Sequence, residues 1–265
     1  MLDTLTEHSY LYEGMNGEFF LTQCRLLAEC INKILANLVD EFDGDDITAS
    51  YTYTTEHHLA EAIIRQVIEL KPDLVLKSTH HHSIIKRSLV TNTDWRLIRK
   101  CPAPLLLVKT EPWHESGSIV TAVDPLHSKA AQSSLDQHLI DSVELLAKRL
   151  DQTACVFHSY FPFVSTMFPM GSETAEHMAR IRHQHAKKLK ELLADHAIAE
   201  DNIQLSHGDL VPTLIEYLKS VNANVLVIGV LSRNVFERAI VGNTAESILE
   251  DCPCDVLVLK TSSAS

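Results

Sequence analysis

Residues 91–110 read Thr-Asn-Thr-Asp-Trp-Arg-Leu-Ile-Arg-Lys-Cys-Pro-Ala-Pro-Leu-Leu-Leu-Val-Lys-Thr, and residues 242–261 read Gly-Asn-Thr-Ala-Glu-Ser-Ile-Leu-Glu-Asp-Cys-Pro-Cys-Asp-Val-Leu-Val-Leu-Lys-Thr. At a constant shift of 151 they share Asn-Thr, Cys-Pro, one Leu and Lys-Thr without a gap. Each block reads as a short helix, a Cys-Pro turn and a buried strand. The same shift pairs the apolar strand Asp73-Leu-Val-Leu-Lys with Asn224-Val-Leu-Val-Ile, and an amphipathic helix precedes each, at about 58–71 and 210–222. His8-Ser-Tyr matches His158-Ser-Tyr at a shift of 150. A repeat this long is a duplicated domain, not a solenoid unit.

Working outward, the second copy reads as strand 119–124, helix 128–149, strand 154–158, a long loop 161–170, helix 173–195, strand 203–206, helix 210–222, strand 224–229, helix 243–250 and strand 255–260. Leu135, Leu139, Val143 and Leu146 fall on one face of its first helix. Strands alternating with helices predict an α/β fold with a parallel sheet covered on both faces by right-handed crossovers. The polar stretch around 111–117, broken by Pro112 and Gly117, reads as a linker between a first domain at 1–110 and a second, complete one at 118–265. In the second copy 39 residues separate Ile119 from His158, whereas 7 precede His8. The expectation is a first copy lacking about 32 residues, its first strand and first helix, and less stable for it.

With 265 residues, 45% of them hydrophobic, and only 8 Gly and 9 Pro, the composition is that of a globular protein. No apolar run reaches the length of a membrane span, and the start lacks the pattern of a secretory signal, so the expected compartment is the cytoplasm. The net charge of −12 argues against direct nucleic-acid binding. The six cysteines lie in or beside apolar segments and are expected to be buried, reduced thiols. Cys252-Pro-Cys254 also has the makings of a redox pair, although thiols so close in a small loop bridge only with strain.

The strongest chemical signal is Gly229-Val-Leu-Ser232, followed after nine residues by Gly242-Asn243-Thr244 at a helix start. Glycine at a strand end lets a ligand approach the backbone, and a helix start offers amides to phosphate. In an open α/β sheet the ligand is expected beyond the carboxyl ends of the strands where strand order reverses, and Asp124 ends the first strand there.

With these residues the chain resembles the universal stress protein family, whose motif is Gly-x2-Gly-x9-Gly-Ser/Thr/Asn with an acid closing the first strand. The tandem layout, the Cys-Pro before the last strand, and the first-half Asp-Leu-Val-Leu-Lys, His-x-His and Thr-Asp-Trp are similar to its two-domain, E-type members. The resemblance implies tandem doubly wound five-stranded sheets of the adenine-nucleotide-hydrolase-like type, strand order 3-2-1-4-5, paired as an intramolecular pseudo-dimer, with homodimerisation left open. It implies a non-enzymatic, cytoplasmic stress-response protein that supports survival under starvation and DNA-damaging conditions; some members bind ATP. Asp124 would hold the adenosine side, Gly229 and Ser232 would line the phosphate loop, and Gly242, Asn243 and Thr244 would hold phosphate oxygens. Ser232 stands where the pattern has glycine, which narrows the loop against ATP.

The first copy has Ser78 and Thr91 at the positions of Gly229 and Gly242. It carries instead His80-His81-His82 past a strand, with His57-His58 opening the preceding helix. His80 and His82 are candidate zinc ligands, with Asp94 or Cys101 as guesses to complete the site, set against a solvated loop. His177, His183 and His185 lie on a charged helix and read as solvated. Phe20, Cys24, Leu27, Ile31, Leu35 and Leu38 recur at helical spacing and read as a face packed on a sheet. The apolar loop 161–170 reads as a docked loop or as the lid of an apolar, lipid-like pocket. No hydrolase elbow, Walker loop or zinc-protease motif occurs. A binding module is therefore expected, with weak ATP hydrolysis or carriage of an apolar ligand as alternatives.

Overall fold

The computed structural model describes residues 29, 31–37, 39–41, 48–52, 54, 58–79, 91–126, 130–160, 172–232 and 243–262. The chain divides into two compact units, Met1–Ala62 and Ile63–Ser265. In the first, residues 31–37 and 39–41 are helical (α1), with Ile31 and Leu35 half-buried and Ile34 half-exposed, as the apolar spacing predicts. The remaining members of that predicted face, His8 and the beginning of the chain lie outside the described residues.

The second unit holds a sheet of seven strands among the described residues: β1 (Val75–Ser78), β2 (Leu105–Val108), β3 (Ser118–Ala122), β4 (Thr153–Tyr160), β5 (Ile203–His207), β6 (Ala223–Ser232) and β7 (Asp255–Ser262). The helices are α2 (Leu59–Leu70), which crosses the boundary between the units, α3 (Asn92–Lys100), α4 (Ala130–Leu150), α5 (Ser172–Leu192), α6 (Leu210–Ser220) and α7 (Asn243–Asp251). Spatial order is β1-β2-β7-β6-β3-β4-β5. Every neighbouring pair is parallel except β2 with β7. Each parallel step within a half is made through a helix, because a tight turn cannot return a chain to start a parallel strand. Taken alone, the second half has the order 3-2-1-4-5 with β3 at its centre.

The strand–helix alternation dictates the core. Along β4, Val156 faces α4 and α5 and packs with Ile140, Leu189 and Leu193. The next residue, Phe157, points to the other face, where its ring lies 5.4 Å from that of Tyr217 on α6. Leu135, Leu139, Val143 and Ala147 of α4 cover Ile119, Val225, Val227, Leu257 and Leu259 of the central strands.

The expected two sheets are one. Each half would leave its last strand as an exposed edge, and pairing the two edges satisfies both sets of amides and carbonyls. The register is Leu105↔Val258, Leu106↔Leu257 and Leu107↔Val256. Leu106 and Leu257 are the same repeat position, so a local two-fold axis passes between them, and the first pair maps onto the third. Lys109 donates through Nζ to the carbonyl of Cys252, and its repeat mate Lys260 donates to the carbonyl of Cys101 at 2.5 Å. The Cys-Pro and Lys-Thr shared by the two copies are thus the two ends of one contact made twice. The helix ends preceding β1 and β6 also match: Lys71 and Asn222, again 151 apart, both take left-handed backbone conformations at φ 49° and 47°.

The 111–117 stretch is strapped to the starts of the second-half strands. Asp255 accepts the backbone N–H of Lys109 (2.7 Å) and the indole N–H of Trp113 (2.8 Å). Asn224 sits at a bulge where β6 slips against β3; it accepts from His114 N (2.8 Å) and donates to His114 O (2.8 Å). Gly117 passes so close that a β-carbon would lie 2.2 Å from Asn224 Nδ2. This end of the sheet is therefore closed by the linker.

Candidate functional site

Strand order reverses at β3, between β4 and β6, so the expected ligand crevice lies beyond the carboxyl end of β3. Asp124 stands there, two residues past Ala122, exposed, with Oδ1 accepting the backbone N–H of Leu126 at 3.2 Å. This is a local Asx-type turn that fixes the carboxylate at the crevice mouth. Beneath it, Asp136 on α4 is buried. Its carboxyl is pushed up to about 7, chiefly by burial, with a hydrogen bond from the Asp124 backbone opposing and the Asp124 charge adding to the rise.

From the β4 side come His158 and, on α5, His185. His158 Nδ1 lies 2.9 Å from Val123 O, and His158 Nε2 lies 2.7 Å from His185 Nδ1. A carbonyl only accepts, so His158 carries its proton on Nδ1 and, as a neutral ring, accepts from His185 Nδ1–H. The His185 ring stacks on His158 and on Tyr160, at 5.0 and 5.1 Å between centroids, and His207 at the end of β5 meets Tyr160 edge-on at 5.5 Å. Burial lowers the pKa of His185, against the pull of Asp124. His158, His185, Tyr160 and His207 thus form an aromatic cluster at the strand ends near the exposed Asp124 carboxylate.

His185 is accordingly not the solvated residue its charged helix suggests. It recurs with Leu189 and Leu193 at a spacing of four, a signal present in the sequence. His158 and Tyr160 alternate along one strand face, and Asp136 follows Leu135 on the helix; no local sequence pattern marks these three as site residues.

Gly229 lies within β6, opposite Leu259, and the strand continues to Ser232, opposite Ser262. A β-carbon at Gly229 would stand 2.6 Å from Leu135 of α4, so here the missing side chain makes room for a helix. β6 and β7 project past the last β3 pairing, Thr121↔Val227, which brings Ser232 to the same end of the sheet as Asp124. Asn243 and Thr244 open α7. Gly242, His80, His82 and the 161–170 loop lie outside the described residues.

The first half treats the matching place differently. Thr91 caps α3: its backbone N–H and hydroxyl donate to Asp94 Oδ2 (2.7 and 2.9 Å), and its hydroxyl accepts from Asp94 N (3.3 Å). Asp94 is fully buried, and its Oδ1 lies 3.0 Å from Lys77 Nζ. The helix start that would bind an anion already holds the chain's own carboxylate. The matching second-half positions are Gly242, Ala245 and Ile228, none of them charged. Asp94 is thus committed and a poor choice to complete a zinc site, and burial raises the pKa of the Cys101 thiol.

Among the described residues, Asp141, Glu144 and His196 bring donor atoms within 4.8 Å of one another. His196 is engaged there at both nitrogens, 2.8 Å from Glu144 Oε2 and 2.7 Å from Gln137 Oε1, which ties the turn after α5 to α4. No helix among the described residues is long and apolar enough to cross a membrane.

The family model described as Universal stress protein family matches residues 26–109 and 116–260. Universal stress protein E of Escherichia coli (strain K12) is 32% identical over 207 residues, which are 76% of this chain and 64% of that protein; the chain thus spans under two thirds of this relative's length. A functionally unknown protein from Pseudomonas aeruginosa PAO1 superposes with a TM-score of 0.68 at 22% identity, over 88% of this chain and 77% of that one. A universal stress protein from Archaeoglobus fulgidus DSM 4304 gives 0.62 at 14% identity, over 89% and 80%. At these identities the two structures establish a shared fold.

Proposed function

We propose a function from one premise: this chain belongs to the universal stress protein family. It acts as a cytoplasmic, non-enzymatic stress-response protein supporting survival under starvation and DNA-damaging conditions, and its second half holds a nucleotide or similar small ligand. The domains are 1–110 and 118–265, joined by 111–117. The observation that carries the ligand reading is the contrast between the halves. In the first, a buried Asp94–Lys77 pair fills the helix start; in the second, the same positions are uncharged and an exposed Asp124 stands at the strand-order reversal. Asp124 would accept hydrogen bonds from a sugar or base, and the amides around Gly242, Asn243 and Thr244 would take phosphate.

The test is equilibrium dialysis with labelled ATP. Gly242→Val is expected to abolish retention with the fold intact by circular dichroism, and Ser232→Gly to raise affinity about tenfold by restoring loop clearance. Unchanged binding in both variants rejects the nucleotide. Phosphate release from bound ATP, measured alongside, would instead favour a slow hydrolase.

A further inference from the structure

Two buried thiols of the second half are not used by the ligand site. Cys252 Sγ and Cys254 Sγ lie 3.7 Å apart in the turn between α7 and β7, within sulfur hydrogen-bonding distance. Their residues are 1% and 6% exposed, and Cys252 is flanked in the chain by exposed Asp251 and half-exposed Pro253. The repeat supplies its own control: the matching residues of the first half are Cys101 and Ala103, a single thiol in the same turn.

We propose that Cys252 and Cys254 form a redox-active dithiol that hydroperoxides oxidise to an intramolecular disulfide.

The turn divides the labour between the two sulfurs. With Cys252 ionised, the Cys254 S–H is the donor between the two sulfurs; this bond lowers the Cys252 pKa against the effect of burial, and the nearby Lys109 ammonium lowers it further. The same bond, with burial, raises the Cys254 thiol. Cys252 thiolate attacks one peroxide oxygen; the S–O bond forms, the O–O bond breaks, and hydroxide leaves. Cys254 gives its proton to that hydroxide, and its thiolate attacks the Cys252 sulfenic acid, forming the S–S bond and expelling the oxygen as a second hydroxide, which is protonated from solvent. With the proton that Cys252 lost on ionising, the dithiol gives up two protons and two electrons, and one hydroperoxide is reduced. Closing the sulfurs from 3.7 Å to about 2.05 Å in so small a loop carries strain, which makes the resulting disulfide readily reducible.

The experiment treats the reduced full chain with hydrogen peroxide, alkylates it under denaturing conditions and maps the peptides by mass. The expected result is the loss of two of the six alkylatable thiols, both in the peptide spanning 252–254, restored by dithiothreitol. With Cys254→Ala the reaction is expected to stop at a sulfenic acid on Cys252 that dimedone captures; with Cys252→Ala, Cys254 is expected to give no adduct. Full alkylation of both cysteines in the peroxide-treated wild type overturns the proposal. That wild-type map decides the matter even if either variant fails to fold.

Discussion

Gly229 has no room for a side chain, because Leu135 of α4 lies where a β-carbon would project. Gly229→Ala is expected to cost about 1–3 kcal/mol, read as a lower urea midpoint, and adding Leu135→Ala should return part of the loss. A midpoint unchanged in the single variant would refute this packing. Asp136 makes a prediction of a different kind. Its folded pKa of about 7 lies above the ordinary aspartate value of about 3.9, so the folded chain holds this proton more tightly than the unfolded chain. The contribution is fully present below about pH 4 and is lost as the pH rises toward about 7. Asp136→Asn should therefore raise the Tm at pH 8 and change it little at pH 4; an equal shift at both would show that the carboxyl is not held this way. Asp124 was legible in the sequence because an acid closing an apolar strand is unusual. Asp136 was not: an aspartate on a helix defaults to solvent, and its burial comes from packing that only the folded chain brings about.

At the scale of elements, α3 owes its start to a network whose residues Thr91, Asp94 and Lys77 are replaced in the second copy by Gly242, Ala245 and Ile228. Asp94→Ala removes the capping partner of Thr91 and leaves the Lys77 ammonium, 12% exposed, without its partner carboxylate. A loss of about 3 kcal/mol is expected by denaturant titration, and the double variant with Lys77→Met should recover much of it. If the double variant is no better than the single, the buried charge is not the cause. The Arg99–Glu246 bridge at 3.1 Å joins α3 to α7 but is half-exposed, and its removal should cost under about 1 kcal/mol. The second-half strands and helices were legible to within a few residues, since periodicities of 2 and 3.6 are local properties. The network at α3 was less so: Thr91 and Asp94 three apart suggest a capping box, but Lys77 comes from a strand 17 positions earlier.

For the whole molecule, the joining of two sheets into one could not be read from either copy alone, because it belongs to their edges. The repeat nonetheless carried it in disguise: Leu106 and Leu257 are equal under the shift and also face each other. A surface that pairs so symmetrically should pair with itself. Residues 118–265 produced alone would bare the β7 edge, and they are expected to dimerise antiparallel about Leu257, giving twice the monomer mass by light scattering. A monomer at tens of micromolar would refute this. The zinc reading rests on residues the structure does not describe and gains nothing from Asp94 or Cys101, both engaged elsewhere.

The carboxylate that plugs the start of α3 reaches beyond stability. Duplicated ligand-binding domains are natural candidates for cooperativity, since two equal sites can bias one shared equilibrium. Here one of the two seats is already taken by the protein itself. Saturation would follow a plain hyperbola, with one ligand per chain and a Hill coefficient of one, and the start of α3 would not itself respond to the ligand.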